Sequence, residues 1–173
     1  MPRWSAVTAW RYNSSTMTPE IDTYSRYARE MIARIHAALQ GLSEADLNRA
    51  PDLPGANSGF VIATHVIGNI RAWVLGIGCG HDLRRERPAE FVSRGTYEEL
   101  GVAACKLSGE IEAALAALDP ARLDERLVPA QDLWGEGEAH EIARRDAFAH
   151  VLEHAGIHLG EILMTRALLA KGR

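Results

Sequence analysis

Cysteine is scarce in this chain: Cys79 and Cys105 are the only two in 173 residues. Two thiols cannot build a disulfide framework, and neither sits in a Cys-x-x-Cys or Cys/His zinc spacing. Both are expected to be reduced, small, core-type residues of a cytoplasmic protein. The first 20 residues hold no apolar run long enough for a secretory signal. No window approaches 18 uninterrupted apolar residues, so neither a membrane-spanning helix nor a membrane partner is expected. Positive charge is not in excess either: 19 Lys and Arg face 23 Asp and Glu, a net charge of −4. A surface that covers phosphates needs a cationic face, so no nucleic-acid partner is expected. Sustained two-residue alternation is also missing, which argues against a sheet.

What is present is helical period. The segment through Ser15 has no clean pattern and reads as part of an N-terminal arm over residues 1–17, with Met17 as an alternative start. The domain proper then covers residues 18–173. Thr18 is a candidate N-cap, with Pro19 suited to the first helical position. Ile21, Tyr24, Ala28, Ile32, Ile35 and Leu39 then follow at helical spacing, and Gly41 is a natural stop. A second helix is expected from Asn57 or Ser58 to about Gly78, with Ile62, His65, Asn69, Ala72, Trp73 and Gly76 on one face. Its Gly68, Ala72 and Gly76 are small enough to admit a close-packed helix. Thr96 followed by Glu99 is a capping-box signature. It opens a third helix running to about Leu118. A fourth is expected from about Ala139 to Ala170, with Phe148, Val151, Leu152, Ala155, Leu159, Ile162, Leu163 and Leu169 inward.

Four such helices predict an all-α four-helix bundle. The linker after the second helix has about 17 residues and can reach about 55 Å, far more than a hairpin needs. It can therefore carry the chain from end to end of the bundle, which gives up-down-down-up order.

The chemical signal is histidine, of which there are seven. His150, His154 and His158 are four apart on one helix, so neighbours share a face and two imidazoles can grip one ion. His158 lies on the apolar stripe between Ala155 and Ile162, with His154 at its edge. A core histidine satisfied by a hydrogen bond would sit in the same way. His65 favours the metal reading. If the second and fourth helices are antiparallel, it comes level with His158. Three imidazoles from two facing helices make a half-open site for a divalent ion such as zinc or nickel. Their nitrogens should then converge to within about 3–4.5 Å of each other. His150 lies too far along the helix to join, and His140, at the helix start, is expected to be exposed. His150-Val-Leu-Glu153-His154 also matches the HxxEH motif of inverted zincin proteases. Those enzymes need a distant third carboxylate ligand and a far larger fold.

The ATHVIGNIRAW segment with His65 and the LEHAGIHLGEI segment with His154 and His158 resemble the DinB-like/YfiT-like metalloenzyme superfamily. The resemblance runs from about Thr18 to Ala170. It implies His65, His154 and His158 as metal ligands. It also implies an enzyme that activates a small-molecule thiol for transfer or isomerisation. Glu161, often Gln in such proteins, either braces a ligand from behind or faces solvent. Arg84, Arg85 and Arg87 are candidates for an anion-binding rim or, with Glu86 and Glu90, for a solvated loop. Trp73 and Trp134 could line a pocket mouth or simply pack. The competing functions are a metal-assisted hydrolase acting through bound water and a non-enzymatic helical bundle. A homodimer is expected, through small-residue stripes and exposed apolar positions such as Trp73 or Leu75.

Overall fold

The computed structural model describes residues 17–171. The expected arm lies outside the described residues except for Met17, which packs against the core. Four long helical units form the bundle: α1 (Pro19–Ala38), α3 (Gly59–Ile70) with a π-helical continuation (Arg71–Gly78), α5 (Tyr97–Ala116) and α7 (Arg144–Lys171). Short helices fill the connections: α2 (Glu44–Leu47), α4 (Arg87–Glu90) and α6 (Gln131–Trp134). A 3-10 turn spans Pro120–Asp124.

The helix starts follow local chemistry. Thr18 caps α1 through its side chain, and Ser58 accepts from Val61 N at 3.2 Å to cap α3. At α5 the capping box is complete: Glu99 N donates to Thr96 Oγ1, and Thr96 N to Glu99 Oε2.

Side-chain contacts give the helix directions. On α1 and α7, Glu20 pairs with Arg145 and Tyr24 stacks on Phe148, while Arg166 reaches Ala38 O, so these two helices run parallel. His36 stacks on Tyr97 and Arg29 pairs with Glu112, so α5 runs against α1. Trp73 stacks on His150 and Arg144 donates to Ile77 O, so α3 runs against α7. The order is therefore up-down-down-up, and the long second linker is the crossover that it requires.

Gly59–Gly78 is the central helix. By length and composition it could cross a membrane, but most of it is buried inside the bundle. Its last two turns widen, with Cys79 N bonding to Val74 O five residues back.

Several expectations need correction. The fourth helix starts at Arg144, not Ala139. Ile142–Ala143 (β2) instead pairs antiparallel with Arg126–Leu127 (β1), a two-residue ladder in a molecule without other sheet among its described residues. On α7, Leu163 is 54% exposed and Leu152 half-buried, because both sit off the stripe through Phe148, Val151, Ala155, Leu159, Ile162 and Leu169. Cys79 is buried, but Cys105 is exposed on α5. Trp73 and Leu75 are buried, at 4% and 2% exposure, so they offer no surface for a partner. The small residues of the central helix admit side chains from the connections rather than a helix backbone: Glu90 against Gly68, Leu133 and Leu83 against Gly76.

Candidate metal centre

His65 is two turns into α3, and His154 and His158 are in the middle of α7. Because these helices are antiparallel, the three rings meet. His65 Nε2 lies 3.2 Å from His154 Nε2, and the His154 and His158 ring centroids are 4.4 Å apart. One nitrogen from each of the three falls within 4.8 Å of the others, slightly looser than the 4.5 Å expected. Two nitrogens bonded at about 2.05 Å to one tetrahedral ion lie about 3.3 Å apart, so the His65–His154 spacing suits a shared cation. His65 is buried, while His154 and His158 are half-buried. The cluster can hold a metal ion.

Each outer nitrogen has a different environment. His65 Nδ1 is 2.8 Å from Glu90 Oε2, and Arg85 grips that carboxylate from the other side, Nε to Oε1 at 2.8 Å and Nη2 to Oε2 at 2.9 Å. Burial would raise the Glu90 pKa, but the hydrogen bonds from His65 and Arg85 and the nearby positive charge bring it below its ordinary value. His158 Nδ1 bonds Glu161 Oε2 at 2.6 Å, which resolves Glu161 as a partner of His158 and leaves Nε2 free. His154 Nδ1 is buried with no hydrogen-bond partner among the described residues. Burial, then the neighbouring His158 and His65, lowers the His154 pKa to about 3. Its imidazole is thus neutral at ordinary pH, as metal binding demands.

A cavity of about 300 Å³ opens beside His65 and His154, walled by Asn69, Trp73, Trp134 and His150. Both tryptophans thus line it, their rings 5.0 Å apart. His150 is not among the three converging histidines; its ring stacks on Trp73 at 3.7 Å and lies 5.4 Å from the His154 ring. Burial pushes its pKa down as well. His140 is exposed, as expected, with its ring edge against Trp134.

The arginine loop divides. Arg85 is buried and engaged with Glu90, so it is no part of a free rim. Arg84 is almost fully exposed. Arg87 lies at the cavity edge, paired with the exposed Glu136 at 2.7 Å and over the Phe91 ring. Sequence reasoning missed Glu90 and Arg85 as supports of His65, having read them as loop charges.

The profile of the DinB superfamily matches residues 27–162, most of the chain and all three histidines. The chain belongs to the DinB superfamily. No curated protein matches it at a significant level. Within this DinB-superfamily bundle, the triad marks the site where α3 and α7 face each other across the cavity.

Proposed function

We propose that this DinB-superfamily protein is a metal-dependent enzyme that activates a small-molecule thiol for transfer or isomerisation, with His65, His154 and His158 as its metal ligands. The observation that carries the reading is the convergence of three imidazoles from two helices, two of them, His65 and His154, lining a cavity. A bound zinc or nickel ion, held by neutral ligands, keeps its full charge and lowers the pKa of a thiol brought to it.

The chain's own residues do the rest. Glu90 accepts the Nδ1 proton of His65, and Glu161 does the same for His158, so each ring is held with Nε2 available. Trp73, Trp134 and His150 give the cavity an aromatic wall that excludes water from one side. Arg87 offers an anion-binding group at the edge. Its present partner Glu136 is 81% exposed, and such a pair is weak enough for a substrate carboxylate to replace it. The free thiols Cys79 and Cys105 support a reducing, cytoplasmic setting. A homodimer is part of the same proposal, supported by exposed apolar residues on α7, Ile157, Leu163 and Met164.

Metal analysis of freshly purified protein tests the reading. Roughly one divalent ion per chain is expected, lost in His154→Ala and His158→Ala and retained in His150→Ala. L-cysteine should bind the loaded protein and not the metal-free one, by calorimetry. Failure to take up any ion on reconstitution, or loss of the ion in His150→Ala but not in His158→Ala, would overturn the assignment. A loaded protein that cleaves small esters or amides without added thiol would favour the hydrolase instead.

A further inference from the structure

The crossover segment between the central helix and α5 does more than connect. Its α4 places Glu90, 8% exposed, directly behind His65. Arg85, 9% exposed, closes on that carboxylate with two hydrogen bonds in a fork. A buried ion pair of this kind is rarely worth its desolvation in stability alone. Here it has a specific consequence. A carboxylate only accepts hydrogen bonds, so a 2.8 Å contact with His65 requires the proton to be on Nδ1. In the neutral ring, the form that binds a metal, the lone pair is then on Nε2, the atom that faces His154 at 3.2 Å.

Gly68 makes the approach possible. It stands one turn after His65 on the same helix, and a Cβ there would come 2.8 Å from Glu90 Cδ and closer still to Oε1. Any side chain at position 68 therefore pushes the carboxylate away. The clash is with the tip of a flexible side chain, so the helix itself can accept alanine.

We propose that Glu90 is a positioning residue for the metal centre: with Arg85 behind it and Gly68 beneath it, it fixes His65 in the Nδ1–H tautomer and so presents Nε2 to the ion. The inference rests on the metal reading above for its purpose, but the tautomer itself belongs to the chain and is measurable without metal. It also means that the crossover segment must be docked for the site to be complete.

The test uses the full chain with Gly68→Ala, Glu90→Ala and the isosteric Glu90→Gln. Long-range 1H–15N spectra of the metal-free protein report which His65 nitrogen carries the proton. Chelator competition with zinc reports affinity. Wild type is expected to show Nδ1–H. Glu90→Ala and Gly68→Ala should mix the two tautomers and weaken zinc by about 10–100-fold. Glu90→Gln retains an acceptor, so it should keep the tautomer and lose less affinity than Glu90→Ala. An Nε2–H tautomer in wild type, or zinc affinity within twofold of wild type in a folded Glu90→Ala, would overturn the proposal. If wild type bound no zinc, the metal reading would fall while the tautomer still decided the role of Glu90. If Glu90→Ala did not fold, the wild-type tautomer and Glu90→Gln would decide it.

Discussion

His154 shows how a single residue couples the site to stability. Its folded pKa of about 3 is well below the ordinary 6.5. In the unfolded chain a histidine takes up its proton near pH 6.5. Between those values the unfolded state binds more protons than the folded one. The stability this residue confers is therefore complete above about pH 6.5 and is lost as pH falls toward 3. Metal-free protein should lose melting temperature across that window, and His154→Ala should lose less of it. Parallel melts of the two proteins at several pH values check this, and equal slopes would contradict it. The histidines themselves were legible from spacing, since i,i+4 on an apolar stripe leaves few places for a ring to go. Glu90 was not. Its partner is 25 residues away across an irregular segment, and no period links the two.

At the scale of elements, glycine and caps carry the packing. A Cβ on Gly78 would come 2.6 Å from two carbons of the Phe148 ring, which is itself buried. Gly78→Ala is expected to cost about 1–3 kcal/mol through overpacking where the central helix meets α7. Thr96→Ala removes one half of the reciprocal cap on α5 and should cost about 1 kcal/mol. Urea unfolding measures both, with the slope expected to stay constant. The starts of α1, α3 and α5 were readable because Thr18, Ser58 and Thr96 announce them. The start of α7 was not, because a two-residue strand has too few positions to show alternation and Ile142 finds its partner Leu127 only in the fold. The π-helical turns left no trace for a similar reason. In Arg71–Gly78 almost every residue is apolar or small, so no period stands out there to be read.

For the whole molecule, the length of the second linker made the up-down-down-up order legible before any contact was known. Assembly was less legible, since Trp73 and Leu75 turned inward. Of the exposed apolar residues, Ile157, Leu163 and Met164 share α7 with Gly156 and Gly160, and there is open space above both glycines. If two copies pair there, sedimentation should give a species of twice 19.0 kDa, and Ile157→Glu should return it to the monomer. A single 19.0 kDa species at micromolar concentration in the unmodified protein would count against the dimer.

His65 and His154 are 89 residues apart in the chain. During synthesis the N-terminal half emerges with one of the three clustered imidazoles, His65, followed soon after by Glu90. The two remaining imidazoles arrive only with the last helix. A nascent chain therefore lacks this three-histidine cluster until α7 has been made. On the proposed metal reading, ion capture at this cluster would follow the synthesis of α7, and a product truncated before that helix would lack the site.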